Sequence, residues 1–323
     1  MVLTRKLLTS NCITTSRALY RRFSSFTPAV SHLAATQEAS KAPFVIKAVP
    51  TPAPAEDEIL IRNELIGLIP VDMKMAKYGT PPIASYQRSW ATALAVYCRE
   101  QINRYWQQSR SIPAVCVGES QIPYAAKVSG DADLHGPVGT IGNITTIVAM
   151  LSQYMGLQRP DFSRLSSKNG QKILVYGGTS SVGFLATQYL VQAGYDVVTT
   201  TSPKNWSLVS ILGQPETTNI TGVVLHAQDG GKLYTLLPPM GPETIPETVE
   251  RVFQPYATAL MEEKNADSRN WAVLGYYQQA LERGKLAHLP TTKVPGGLAA
   301  LNDACDILER GVSAAKVVVD PWE

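Results

Sequence analysis

The feature that most constrains the fold is a glycine-rich turn between a strand pattern and a helix pattern. Residues 172–176 (KILVY) form an apolar run typical of a strand buried in a parallel sheet. They are followed by the turn at 177–183 (GGTSSVG), a helical pattern at 184–193 and a second strand pattern at 196–200. Strand, turn, helix and strand within about 30 residues make a βαβ unit. The sequence therefore predicts an α/β fold with a Rossmann-type parallel sheet.

The same turn predicts a nucleotide site. Glycines let the backbone approach a pyrophosphate closely, and a helix N-terminus offers free N–H groups and the positive end of its dipole. We therefore expect the phosphates to contact Gly178, Ser180, Ser181, Val182 and Gly183. The alternative is a structural Gly/Ser turn that binds nothing.

The residues at the end of the second strand indicate whether the site prefers NADP(H) or NAD(H). NAD sites carry a carboxylate there to accept the ribose 2′-hydroxyl. This chain has no acid between 199 and 205 and offers Ser202, Pro203, Lys204 and Asn205 instead. Because Lys204 can neutralise a 2′-phosphate, the sequence favours NADP(H). An ordinary solvated loop lysine is the alternative interpretation of Lys204.

Charge is concentrated at the N-terminus. Residues 1–37 contain five Arg or Lys, many Ser and Thr, and no acid. This composition is typical of a mitochondrial transit segment, and the RRFSS run at 21–25 resembles a matrix-peptidase cleavage site. We expect the mitochondrial matrix, with the cytoplasm as the alternative. The net charge of +3 over 323 residues is too small to indicate nucleic acid binding, and no apolar run approaches the roughly 20 residues of a membrane span.

The cysteines and histidines do not indicate a metal site. The four cysteines form no CxxC pair, and the four histidines are scattered along the chain. The sequence predicts no metal ligands.

Beyond the turn, further motifs carry a family resemblance. They are residues 173–183, 201–205, 230–239 (GGKLYTLLPP), 70–74 (PVDMK), and the stretch from 296–298 (GGL) to 308–313 (LERGVS). In these motifs the chain resembles the medium-chain dehydrogenase/reductase superfamily, in its branch of zinc-independent fungal enoyl reductases and quinone-oxidoreductase-like proteins. Ile69 and Met73 depart from that pattern, which usually has Asn and Trp there.

The resemblance implies two domains with the active site between them. A partly open β-barrel-like (GroES-like) catalytic domain would span 38–150, and the Rossmann domain 151–285. Residues 286–323 would return to the catalytic domain. The implied reaction is NADPH-dependent reduction of an enoyl or enone (quinone-like) double bond in a small molecule or acyl thioester. The implied assembly is a monomer or homodimer.

The resemblance also implies further cofactor contacts. Near the nicotinamide these are Asp72, Met73, Lys74, Leu236 and Leu237. Val312 and Ser313 would contact the cofactor from the returning segment. Thr145 and Thr146 match a threonine pair near the substrate. Tyr78, Tyr86 and Tyr124 are proton donors by type, but the sequence selects none as catalytic.

Two stretches depart from the family plan and favour an alternative function. Residues 84–118 lack the strands and the glycine-rich segment that the family would supply, and they suggest one amphipathic helix over 90–108. After residue 213 the third strand, its helix and the fourth strand are expected to be missing, with one short helix at 215–223. That loss would leave an open edge beside 172–176, unless 232–237 moves there. The alternative is therefore an inactive nucleotide-binding descendant or an incomplete gene product without catalysis.

The remaining patterns predict ordinary elements. We expect strands at 44–49, 58–66, 286–290 and 316–319. We expect helices over 246–264, 270–283 and 298–309.

Overall fold

A computed structural model describes most of the chain. The described residues are 31–51, 58–59, 63–79, 95–96, 120–121, 133–163, 168–212, 216–217, 230–238 and 246–323. The strands are β1 (His32–Thr36), β2 (Val45–Val49), β3 (Glu58–Ile59), β4 (Ile66–Leu68), β5 (Ala95–Val96), β6 (Ser120–Gln121), β7 (Lys172–Val175), β8 (Asp196–Thr199), β9 (Glu216–Thr217), β10 (Gly231–Thr235), β11 (Val249–Phe253), β12 (Thr291–Lys293) and β13 (Lys316–Val319).

The helices connect these strands. They are α1 (Pro70–Tyr78), α2 (His135–Val148), α3 (Ser181–Gln192), α4 (Trp206–Ser210), α5 (Tyr256–Met261), α6 (Ala266–Asn270), α7 (Gln278–Glu282) and α8 (Leu301–Arg310). A π-helical segment, Ala149–Tyr154, continues α2, and another, Trp271–Tyr277, joins α6 to α7. Among the described helices, none has the length and apolarity that crossing a bilayer would require.

The parallel sheet predicted from the glycine turn is present. β7, β8 and β9 pair in parallel in that order, with Lys172 opposite Asp196 and Val198 opposite Glu216. α3 connects β7 to β8 and buries nearly its whole length. The α/β fold class is thereby confirmed.

The third strand of this sheet, expected to be missing, is present as β9. The short helix expected over 215–223 is therefore wrong at Glu216–Thr217, and the rest of that range lies outside the described residues. β9 pairs with Val198 and Thr199 on the edge of β8 opposite β7, and the local sequence does not show this non-local pairing.

A second parallel pair corrects two more expectations. β10 pairs with β11, with Leu233 opposite Arg251, so residues 232–237 do not lie beside β7. The helix expected over 246–264 is interrupted by β11, and α5 begins only at Tyr256. Val249 and Val252 are β-branched, which favours the extended backbone once β10 offers a partner.

One edge of the β7 strand is open within the described part of the chain. No described strand pairs with the side of β7 opposite β8. Leu174 is 39% exposed and Tyr176, which follows the strand, is 78% exposed. This agrees with the expected open edge beside residues 172–176.

The C-terminal segment returns to the N-terminal half of the chain. β13 pairs antiparallel with β4 and parallel with β12, in the order β12–β13–β4–β5. α8 packs on α1, and Met73, Leu301 and Val317 share one buried core. The domain boundaries at residues 150 and 285 stay predictions.

Two expectations around this sheet are corrected. The strand expected at 286–290 lies instead at Thr291–Lys293, after Pro290, which lacks an N–H for a ladder. The helix expected over 90–108 is wrong at Ala95–Val96, which pairs with β4, and the rest of 84–118 lies outside the described residues.

Folded structure begins inside the segment assigned to a transit peptide. β1 pairs antiparallel with β2, with His32 opposite Val49 and Thr36 opposite Val45. Ala34 and Ala35 are buried. The boundary at residue 37 is therefore too late, because a segment removed on import would have to end before His32. The strand expected at 44–49 is present as β2.

α2 joins the two main cores. Near its start, Val138 packs with Leu65 and Val318, beside the β12–β13–β4–β5 sheet. Its later residues, from Ile144 on, pack with Leu185 and Tyr189 of α3. α2 therefore fixes how the β7–β8–β9 sheet lies against the β12–β13–β4–β5 sheet.

Candidate functional site

The turn after β7 has the close packing of a phosphate-binding turn. Gly177 has φ of 76°, which an L-residue with a side chain rarely adopts. A Cβ on Gly178 would lie 2.1 Å from the Thr199 hydroxyl oxygen, and one on Gly183 would lie 2.2 Å from the Gly177 carbonyl oxygen. The start of α3 therefore packs so tightly on the turn that only glycine fits at these positions.

Ser180 caps α3 and aims its first amides at the turn. The Ser180 hydroxyl accepts a hydrogen bond from the Gly183 N–H at 3.0 Å, and Ser180 itself has extended backbone. The amides of the first helical turn, those of Ser181 and Val182 among them, have no acceptor four residues back within a helix. They form, with the helix dipole, an anion site.

The end of β8 holds the glycine turn in place. The Gly177 N–H donates to the Thr200 hydroxyl at 2.9 Å, and the Gly178 N–H donates to the Thr200 carbonyl at 2.8 Å. The hydroxyls of Thr179 and Thr201 lie 2.9 Å apart. The predicted pyrophosphate turn and the predicted 2′-phosphate loop are thus hydrogen-bonded neighbours.

The returning segment meets this loop, and the cofactor contacts predicted for Val312 and Ser313 stay predictions. The side-chain amide of Asn205 donates to the Ser313 hydroxyl at 3.2 Å. Ser202 and Lys204 are exposed beside them, whereas Asn205 is buried. The loop after β8 and the segment before β13 therefore form one continuous surface, with the Lys204 ammonium free to meet an anion.

The residues predicted at the nicotinamide end lie at the start of α1. Asp72 and Met73 lie on the inner side of this helix, where Asp72 is 2% exposed and Met73 joins the core with Val317. Lys74 is half-buried. Contact of these three residues with the cofactor stays a prediction.

Asp72 has a different partner. Its Oδ2 accepts a hydrogen bond from the Ile69 N–H at 2.8 Å, which caps α1. Burial raises the pKa of the Asp72 carboxyl to about 7, and the Ile69 bond and the charge of Lys316 partly oppose this. Burial lowers the pKa of the Lys316 ammonium to about 8, partly opposed by Asp72.

The predicted substrate residues lie one helical turn from this segment. A Cβ on Gly142 of α2 would contact the Ile69 side chain at 3.8 Å. Thr145 and Thr146 follow Gly142 by three and four residues, so they share its helix face. Both are half-buried. The structure therefore brings the threonine pair and the start of α1 to the same region.

The other predicted contacts are exposed. Leu236 and Leu237 follow β10 with nearly half of their surface exposed, and the Leu237 carbonyl accepts a hydrogen bond from Arg251. The Tyr78 hydroxyl donates a hydrogen bond to the Glu309 carboxylate, and this bond raises the pKa of Tyr78. Tyr78 lies on the surface of α1. Tyr86 and Tyr124 lie outside the described residues.

Lys316 is a buried charged residue that the sequence motifs do not predict. It is the first residue of β13 and is 4% exposed. A lysine directly before a run of three valines was the available signal, because a charge at the start of a buried strand needs a partner. Across the described residues, no group of His, Cys, Asp and Glu side chains is arranged to hold a metal ion.

Fungal relatives resemble the chain in sequence. No family model matches it. The dehydrogenase orf1 of Aspergillus niger is 30% identical over 214 residues, covering 54% of this chain and 60% of the relative. The trans-enoyl reductase tndF of Aspergillus flavipes is 24% identical over 348 residues, covering 89% and 98%. The chain spans about 60% of the length of the first curated relatives that it matches.

Solved structures share the fold. A quinone oxidoreductase of Pseudomonas syringae matches with a TM-score of 0.64 and 15% identity, over 91% of this chain and all of the other. A mycobacterial protein solved in complex with NADPH matches with a TM-score of 0.60 and 16% identity, over 91% and 100%. Together with the glycine turn, these matches show that the chain shares the fold of these solved structures and resembles fungal dehydrogenases and trans-enoyl reductases in sequence.

Proposed function

We propose that the chain is an NADPH-dependent oxidoreductase that reduces an enoyl or enone double bond without zinc. The observation that carries the proposal is the glycine turn locked against an acid-free β8 terminus, next to the returning segment. Relatives named trans-enoyl reductase and a structural neighbour solved with NADPH support it. The substrate is a small molecule or an acyl thioester.

The residues present fit NADPH. Gly178 and Gly183 allow the close packing of the turn on Thr199 and on the start of α3, and Ser180 caps that helix. Lys204, with Ser202 and Asn205 beside it, supplies donors for a 2′-phosphate, and no carboxylate lies there to repel one. NADPH, when bound, supplies a hydride from C4 of its nicotinamide to the β-carbon of the substrate.

The chain contributes binding, orientation and exclusion of water. The α3 amides and Lys204 would hold the phosphates and so orient the rest of the cofactor. Thr145 and Thr146 supply hydroxyl donors on the α2 face that meets Ile69, where an enolate oxygen would develop negative charge. Such donors stabilise an enolate without a Lewis acid, and the sequence has no zinc-type cysteine spacing.

A second candidate is a nucleotide-binding protein without catalysis. The exposed Tyr176 favours it, because it lies beside the edge of β7 that no described strand pairs with, and a complete doubly wound sheet places a strand there at the cofactor crevice. Both candidates are compatible with a monomer or a homodimer, and with residence in the mitochondrial matrix or the cytoplasm.

Purified full-length chain separates these candidates. NADPH binding is measured by thermal stabilisation, where ligand at 100 times Kd adds about 2.7 kcal/mol. NADPH oxidation is then followed with enoyl thioesters, enones and quinones. Stabilisation with turnover supports the reductase. Stabilisation without turnover supports the second candidate, and no stabilisation contradicts both.

A further inference from the structure

A buried acid and a buried amine lie near each other where α1, α2 and β13 meet. Asp72 is 2% exposed and Lys316 is 4% exposed. Each acts on the other through its charge. The Lys316 stem runs along α2, since a Cβ on Gly139 would lie 3.7 Å from its Cγ.

The Asp72 carboxylate is only half satisfied by its own helix. Oδ2 caps α1 through the Ile69 N–H, whereas Oδ1 is fully buried with no hydrogen-bond partner among the described residues. A buried carboxylate with a free oxygen is costly unless an opposite charge compensates it. Lys316 supplies that positive charge. Burial and the negative charge of Asp72 raise the pKa of the nearby Cys305 thiol and keep it neutral, so it adds no second negative charge.

Each member of the pair lies on a segment that leads to the candidate site. Asp72 fixes the turn from β4 into α1, which contains Ile69 in contact with Gly142 of α2. Lys316 follows Ser313 by three residues, and Ser313 accepts the hydrogen bond from Asn205. The register that pairs Val317 with Leu68 continues so that Lys316 stands opposite Ile69.

We propose that Asp72 and Lys316 are a positioning pair, which holds the segment 69–74 and the returning segment 312–316 in one fixed geometry at the cofactor site. This inference rests on the proposed function. Apolar side chains of the same volume would fill the space without the desolvation cost of two charges. The pair is therefore explained by the specific register it imposes, and neither residue needs to touch the cofactor.

A double-mutant cycle tests the pair. Asp72→Asn keeps an oxygen that accepts the Ile69 N–H, and Lys316→Met keeps the unbranched stem. Both single variants and the double variant are compared as full-length proteins at a temperature at which circular dichroism shows each to be folded. We expect each single variant to raise the NADPH Kd and the KM for NADPH by about tenfold, and the double variant to return within about threefold of the parent.

Two controls separate positioning from general stability. Lys77→Met lies on the same helix and breaks ion pairs to Asp306 and Glu309 of α8, and it should leave the NADPH Kd unchanged. Lys316→Arg keeps the charge and should retain more affinity than Lys316→Met. If a Met or Asn variant does not fold, the Arg variant and the double variant still report on the charge.

The outcomes distinguish failure of the positioning pair from failure of the proposed function. Single variants that bind NADPH as the parent does, or losses that simply add in the double variant, overturn the positioning pair while NADPH binding stands. A parent protein that does not bind NADPH overturns the proposed function itself, and the positioning role falls with it.

Discussion

Replacing Gly183 with alanine tests the phosphate cradle most sharply. The new Cβ would lie 2.2 Å from the Gly177 carbonyl oxygen and 2.9 Å from the Ser180 hydroxyl. Ordinary van der Waals contact begins at 3.4 Å, so the start of α3 must move by about 1.2 Å from the turn. The obstacle is backbone, and no change of rotamer relieves it.

The displacement predicts a loss of affinity that can be estimated. Hydrogen bonds from helix amides to a phosphate are near 2.9 Å, so a shift of about 1 Å takes them beyond bonding distance. Losing two charge-assisted bonds costs about 3 kcal/mol, or on the order of 100-fold in the NADPH Kd. The strain of overpacking lowers the free energy of unfolding by about 1–3 kcal/mol as well.

A matched glycine variant separates the two effects. Gly170, just before β7, has φ of 75° and nothing within 4 Å of an added Cβ. Gly170→Ala should therefore cost about 1 kcal/mol of stability through backbone strain alone and leave the NADPH Kd unchanged. Titration calorimetry on both variants measures this. A Gly183→Ala protein that binds NADPH within about threefold of the parent would refute the cradle.

Three further predictions follow from the same structure. Lys204→Ala should weaken NADPH binding by about tenfold or more and leave NADH binding unchanged. Lys168→Ala removes an exposed lysine that is paired with Asp196, and it should change neither affinity. Fluorescence titration with both nucleotides measures these affinities. The stability contribution of Asp72, present below pH 4, should be lost as pH rises through about 7, and that of Lys316, present above pH 10.5, should be lost as pH falls through about 8. Urea unfolding should therefore show a stability minimum between pH 7 and 8 that Asp72→Asn/Lys316→Met removes, and an unchanged profile would contradict it. Residues 1–31 fused to a fluorescent protein should direct it to mitochondria, and a diffuse cytoplasmic signal would contradict the transit segment.

The local part of the fold was predictable from sequence. β7, α3 and β8 follow within one short stretch, and each carries its own signal: an apolar run, a Ser cap and glycines with required conformations. Ser180 and Gly183 could be assigned for the same reason, because the turn geometry depends on residues only a few positions apart.

Elements that depend on distant partners were not predictable. Val249–Phe253 pairs with β10 and Glu216–Thr217 pairs with β8, and neither segment has a strand pattern strong enough to stand alone. His32–Thr36 lies in a basic, Ser-rich context that indicates a leader, yet its pairing with β2 makes it part of the fold.

The candidate site shows the same limit. The PVDMK motif places Asp72 near the cofactor, but the side of α1 that faces inward is set by packing against α8 and β13. Lys316 lies 244 positions further along the chain, and only the β4–β13 pairing brings it to Asp72.

Transfer of an isotope from cofactor to product tests the central claim most directly. Purified full-length chain is incubated with NADPH deuterated at C4 of the nicotinamide, together with enoyl thioesters, enones and quinones, and each product is analysed by mass spectrometry. The proposed function predicts one deuterium at the β-carbon of a reduced enoyl or enone product when the label occupies the transferred position. Absence of deuterium from every product, with label on either face of the nicotinamide, would contradict it.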